Sequence, residues 1–280
     1  MVITVLIAFS SLLGIATVQA ADKETLSGSR PIDIRVQGAG FGANPADIKA
    51  VLESAVGELW QYCSDARIPG IDVYHRSDRP QTDLKLTAEG RIAIGLTARG
   101  NHWGQYAFQF AHEYCHALIN YSNNYTGVAA RVRSPNLWLE ESLCETASLF
   151  TLQAVSHSWL RAPYPGWQDY AHWFSAYLEE RLAMPEHRLP VETPFIVWFR
   201  ANKSSLRRDG TRRDRNTIIA AQFLPIFEKE PRGWGVLAFF NRASNPNQSL
   251  SQLFTDWRSR CPRELQGFVA KLAAVFEVKA

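Results

Sequence analysis

The chain has 280 residues, of which 46% are hydrophobic and 20% charged, and its formal net charge is +3. This composition excludes an intrinsically disordered chain and is enough for a core of ordinary size, in one domain or two tightly packed lobes. So small a charge argues neither for nor against nucleic acid, and no nucleic-acid partner is expected.

The opening stretch "MVITVLIAFSSLLGIATVQA" contains no charged side chain and ends on Val18-Gln19-Ala20. An apolar run followed by small residues reads as a secretory signal over residues 1–20, cleaved after Ala20 or close to it. No Lys or Arg precedes the run, so an uncleaved N-terminal anchor is the alternative. Export to the periplasm or the medium is the expectation. No later stretch is apolar for long enough to span a bilayer, so residues 21–280 are expected to form a single domain without a transmembrane segment.

In "RPIDIRVQGAGFG", Ile32, Ile34 and Val36 alternate with polar residues, which predicts a strand and then a Gly-rich turn. Asn44 and Pro45 suit the N-cap and first position of a helix, and Ile48, Leu52, Val56 and Leu59 keep helical spacing. "IDVYHR" reads as a short strand. The alternating runs around Glu89-Gly90 in "TDLKLTAEGRIAIGLTA" suggest a hairpin. From Gly104 onward the pattern is helical, in "GQYAFQFAHEYCHALINY", "LWLEESLCETASLFTLQAV", "GWQDYAHWFSAYLEERLAM", "TIIAAQFLPIFEKE", "GWGVLAFFNRA", "SLSQLFTDWRSR" and "PRELQGFVAKLAAVFEV". The run "RANKSSLRRDGTRRDRN", which contains Arg207 to Arg215, reads as a solvated loop between helices, with binding of an anionic partner as the alternative. The fold class expected is therefore α+β. An α/β part over about 30–100 precedes a mainly helical part over 101–280.

"HEYCH" places His112 and His116 four residues apart, with Glu113 beside the first. Positions i and i+4 share a helix face, so the two imidazoles can hold one cation. Glu113 is turned about 100° from His112, where it can take a proton from metal-activated water. The flanking residues Phe110, Ala111, Tyr114, Cys115, Ala117 and Leu118 are uncharged, so the helix is expected to be buried on several sides. The competing reading is a pair of hydrogen-bonded core histidines.

Beyond His116 the next helix carries "NLWLEESLCETAS", in which Glu141 and Glu145 share a face and Glu140 is turned about 100° away. Glu141 is the expected third ligand. Glu145 is expected to accept the free ring N–H of a ligating histidine. The stretch is too apolar for these to be ordinary surface charges. The four cysteines, Cys63, Cys115, Cys144 and Cys261, permit two disulfides. If the two helices meet, Cys115 and Cys144 are close enough to pair, leaving Cys63 and Cys261 to each other.

"HEYCH" followed by "NLWLEESLCETAS" resembles the gluzincins, the H-E-x-x-H…E, peptidase MA-like zinc metallopeptidases that include thermolysin-like and aminopeptidase-like domains. Trp138-Leu139-Glu140-Glu141 matches the W-L-x-E setting of their glutamate ligand. The resemblance implies one zinc ion held by His112, His116 and Glu141, with Glu113 as the catalytic base. It implies a zincin-like fold with the zinc cleft between its two parts, and an edge strand binding an extended peptide or protein substrate. "GRIAIGLTA" is the candidate strand. The match covers residues 108–150, and "FTDWRSRCP" resembles the end of peptidase MA-like domains. A G-x-M-E-N motif is missing, so aminopeptidase activity is not supported. Tyr164, Tyr170, Tyr177, His157 and His172 are all candidates to stabilise an oxyanion, and no spacing selects one. His75, His102 and His187 read as incidental. The activity implied is an exported zinc metallohydrolase cleaving peptide bonds. The alternatives are a non-catalytic peptide- or cell-wall-binding protein on a peptidase-like fold, and zinc hydrolysis of another amide or ester.

Overall fold

The alternation seen early in the chain becomes β1 (Ile34–Val36), in which Ile34 is buried and Arg35 exposed. In this computed structural model the described residues are 32–63, 66, 68–83, 85–121, 135–163, 166–240 and 248–280. The leader-like segment and Tyr164 lie outside them. After β1 the chain turns through Gly40 (φ 90°), where a Cβ would approach the His75 ring to 2.9 Å. Helix α1 (Pro45–Trp60) starts as its sequence predicts, with Asn44 Oδ1 accepting the Ala46 N–H at 3.0 Å. Such a cap is worth about 1 kcal/mol.

Strands β2 (Ile71–His75), β3 (Gln81–Thr82) and β4 (Ile92–Leu96) complete a mixed sheet in the order β1-β2-β4-β3. β1, β2 and β4 are parallel, and β3 runs antiparallel to β4, with Thr82 opposite Ile94. The expected hairpin is present, but its first arm is only two residues long. The tight turn is set by Thr87 and Arg91, with Gly90 at φ 73°. This sheet order corrects one expectation. β4, the core of "GRIAIGLTA", is an interior strand, and the edges belong to β1 and β3. Burial explains the exchange: Ile92, Ile94 and Leu96 are fully buried, as an interior strand requires.

Among the described residues all four strands lie within residues 34–96, and the elements from residue 103 onward are helices. Together they make a mixed α and β architecture. Helix α2 (Trp103–Tyr121) packs against α1, the sheet and α3 (Leu137–Arg161). Every residue of α2 is buried except Gln105, Gln109 and Asn120. Gln109 fixes its height on the sheet, its Oε1 accepting the N–H groups of Thr97 and Ala98 at 2.9 and 3.0 Å. The Tyr121 hydroxyl donates to the Asp83 carbonyl just after β3, tying down the far end of the helix.

Helices α4 (Ala171–Ala183), α5 (Phe195–Arg208), α6 (Arg213–Lys229), α7 (Leu250–Arg260) and α8 (Arg263–Ala274) follow. The stretch "GWGVLAFF" forms 3-10 turns over Pro231–Phe239 rather than an α-helix. The basic run is not a loop. It forms the end of α5, a short turn and the start of α6. Trp198, Phe199 and Leu206 bury one face of α5 and leave its charges outward, which fits helical spacing better than a loop. Among the described residues no helix is long and apolar enough to cross a membrane.

Candidate metal centre

His112 and His116 project from α2 with ring centroids 5.1 Å apart. Both residues are buried, at 5% and 3% exposure. Glu141 reaches them from α3. Its Oε2 lies 3.3 Å from His112 Nε2 and 3.7 Å from His116 Nε2. Tetrahedral ligands about 2.0–2.1 Å from a zinc ion stand roughly 3.3–3.4 Å apart, so Glu141 Oε2 stands at ligand spacing from His112 Nε2 and somewhat beyond it from His116 Nε2.

The other nitrogen of each ring faces a second carboxylate. His116 Nδ1 is 2.8 Å from Glu140 Oε1. His112 Nδ1 is 3.6 Å from Glu145 Oε2. That last pair is too long for a hydrogen bond, and both atoms are otherwise unpaired and buried. A small closure would satisfy each with the other. A proton on each Nδ1, facing its carboxylate, would leave both Nε2 atoms free to bind a cation.

Glu140 corrects the sequence reading, which turned it away from the site. It does face a different direction from Glu141, but His116 stands one turn along α2 from His112. The outer edge of its ring falls where Glu140 points. Asn120, a turn beyond His116, donates its side-chain N–H to Glu140 Oε1 at 3.0 Å. Glu145 is fully buried, and its Oε1 accepts from Thr217 Oγ1 at 2.8 Å and from Arg181 Nη2 at 3.2 Å. Helices α4 and α6 thus hold a carboxylate of α3 against a histidine of α2. The Arg181 guanidinium also lies 4.9 Å from the Phe108 ring centroid, adding a cation–π contact.

Glu113 follows His112 on α2 and is 4% exposed. The Thr82 hydroxyl, on the edge strand, is 2.9 Å from Glu113 Oε2 and 2.7 Å from its backbone carbonyl. With one proton to give, it donates to one of the two at a time.

Ionisation follows from this packing. Burial disfavours charge on both histidines, yet the surrounding carboxylates outweigh it. Glu141 and Glu145 raise the pKa of His112, and Glu141 and Glu140 raise that of His116 further. Burial likewise opposes ionisation of Glu141, but the two imidazoles hold it well below the usual carboxylate range. Glu145 is brought down to about 2, against its burial, by His112, Arg213 and Arg181. The cluster is electron-rich and draws positive charge.

A cavity of about 230 Å³ opens on the cluster, lined by His112, Glu113, His116, Glu141 and Glu145 and by residues of the β3 edge and the start of α6. Cys144 offers a competing ligand set. Its sulfur and one nitrogen of each histidine lie within 4.8 Å of one another. It does not line the cavity, and burial and a hydrogen bond with Cys115 push its thiol well above the usual range. Glu141, by contrast, is anionic and lines the cavity. Cys115 and Cys144 are in contact, but all four cysteines are buried thiols, and the two disulfides that the cysteine count permits are not formed.

None of the oxyanion candidates among the described residues lines the cavity. His157 is exposed, and sixteen residues along α3 put it about 24 Å from Glu141. Tyr170 donates to the Asn101 carbonyl, and Tyr177 packs its ring on Phe108. His75 accepts from Arg99, and His187 Nδ1 contacts the Arg181 carbonyl. Thr82, Arg181 and Thr217 were not found from sequence, since nothing in their local pattern points to this site.

The chain matches no protein-family model, and no curated protein and no solved structure matches it.

Proposed function

We propose that this protein is an exported zinc metallohydrolase that cleaves peptide bonds, with a zincin-like fold and its zinc cleft between the sheet region and the helices. His112, His116 and Glu141 would hold the ion. The observation that carries the reading is the position of Glu141 Oε2, 3.3 and 3.7 Å from two Nε2 atoms whose Nδ1 partners face Glu145 and Glu140. Zinc supplies a Lewis acid that polarises a carbonyl and acidifies water.

The chain's own residues do the rest. Glu113 takes a proton from water as its oxygen attacks the peptide carbonyl carbon, then delivers it to the departing amine as the C–N bond breaks. Thr82 orients that carboxylate. Glu140 and Glu145 fix the tautomer and direction of the two rings. The outer edge of β3 is available to pair with an extended peptide. A binding protein would need no carboxylate beside the ligands, and Glu113 is buried there at 4% exposure.

The test is metal content and turnover on a peptide library with three proteins. Wild type should carry about one zinc per chain and cleave peptides. His112→Ala should lose the metal. Glu113→Gln should keep it and lose cleavage. A metal-free wild type, or a Glu113→Gln that still turns over, refutes the assignment.

A further inference from the structure

Two arginines line the cavity, and neither is used by the chemistry above. Arg79 stands just before β3, and Arg213 is the first residue of α6. Among the described residues, neither guanidinium forms a hydrogen bond or an ion pair. Their neighbours behave otherwise. Arg76 grips Asp78 through two bonds of 2.9 and 2.8 Å, and Arg212 grips Asp214 through two of 3.1 and 2.9 Å. In both segments the nearby aspartate is taken by another arginine, so the cavity-lining one is left over. Arg181, on the other side of Glu145, is likewise committed.

The positive field of Arg213 already reaches Glu145, one turn along α3 from Glu141. Thr211 lines the same wall, but its hydroxyl donates to Asp209 at 2.9 Å, which leaves the two guanidinium groups as the donors for an anion. A guanidinium presents a planar fork of donors that matches a carboxylate in two parallel bonds. Two of them on different elements, beside a hydrolytic centre, suit an anion carried by the substrate rather than the developing oxyanion alone.

We propose that Arg79 and Arg213 recognise a carboxylate of the substrate, so that the enzyme selects acidic peptides. This rests on the zinc-peptidase reading. The carboxylate comes either from an Asp or Glu side chain or from a free C-terminus, and the recognition chemistry is the same.

Mercaptoacetyl-dipeptides of one length separate these cases, because their thiol binds zinc whatever the rest carries. Three probes are needed: one amidated with a neutral Asn, one amidated with Asp, and one with neutral side chains and a free C-terminal carboxylate. Affinity is measured calorimetrically on the zinc-loaded full chain. The Asp probe or the free-carboxylate probe should bind about tenfold more tightly than the neutral one. Whichever does so names the source. The advantage should shrink in high salt. It should fall to about none in the Arg79→Gln/Arg213→Gln double variant, whose substituted side chains are exposed and outside the core. Equal binding of all three probes, or an advantage that survives the double variant, overturns the inference while leaving the peptidase reading intact. Failure of every probe to bind a zinc-loaded protein removes that reading, and this inference with it.

Discussion

Glu145→Gln tests how the centre is held. The side chain is fully buried and bridges Thr217, Arg181 and His112. A carboxyl whose folded surroundings lower it from 4.5 to about 2 contributes on the order of 3 kcal/mol at neutral pH. Breaking a buried ion pair at one partner costs about 3–5 kcal/mol. Arg181 keeps 12% of its side chain exposed, so the lower end applies and the two routes agree on about 3 kcal/mol. The substitution also turns an amide N–H toward His112 Nδ1. That forces Nδ1 to accept, moves the ring proton to Nε2 and blocks ligation. Zinc affinity should therefore fall by about 10- to 100-fold. Denaturant unfolding of metal-free protein reads the first effect, and competition with a chelator reads the second. The sign with pH is fixed. A depressed carboxylate stabilises above its unfolded value of 4.5 and loses that contribution as pH falls toward about 2. The stability gap between variant and wild type should close on acidification. A variant matching wild type in neutral stability and zinc affinity refutes this account of Glu145.

Glu141→Ala should abolish zinc binding while Cys144→Ala retains about one ion per chain, by elemental analysis; the reverse pattern would hand the site to the cysteine. Thr82→Val removes the hydroxyl that orients Glu113 and should lower kcat about tenfold at unchanged metal content. An unaltered kcat would free Glu113 from the edge strand. Metal-free protein should be most stable at about pH 4.5–6.5. His112 and His116, raised above 6.5, stabilise fully below that value and lose this as pH rises through their folded values. Glu141 and Glu145 lose theirs as pH falls below 4.5. Melting curves at intervals of pH, with and without zinc, should show the metal's stabilisation growing from pH 5 to about pH 8; a flat difference counts against the two imidazoles as ligands.

Helical spacing made half of this site legible. His112, Glu113 and His116 are related by a fixed rotation within one helix, as are Glu141 and Glu145, and a sequence carries that rotation directly. What it does not carry is how two helices cross. Glu140 was turned away from the ligands by that arithmetic, yet it meets His116 because the α2–α3 contact exposes the ring's outer edge to it. Thr82, Arg181 and Thr217 reach the site across separations of 31 residues from Glu113 and 36 and 72 from Glu145, so nothing local marks them. The strand order escaped for a related reason. The alternating run before Glu89-Gly90 predicts a partner for β4, but the edge role of "GRIAIGLTA" comes from the resemblance alone, and alternation does not say which arm of a hairpin faces outward. In the basic run, charge density hid a helix, because three buried apolar residues spaced along α5 decide its fold while its exposed charges decide its composition.

The charges of the cluster suggest why α2 and α3 tolerate it. Glu113, Glu140 and Glu145 are buried and Glu141 is 13% exposed, and Arg181 is the guanidinium bonded within the group. Four carboxylates in a core would each cost several kcal/mol if left uncompensated. With both imidazoles protonated, they and Arg181 leave the cluster a single negative charge. A dication with both imidazoles neutral leaves the same balance. A bound ion would thus take the place of two protons, and the packing around Glu140, Glu145 and Arg181 would serve either state. This makes proton release the natural companion of metal uptake. It also fits Glu140 and Glu145, which face Nδ1, being more buried than Glu141: they must hold the rings in place whichever cation the Nε2 atoms meet.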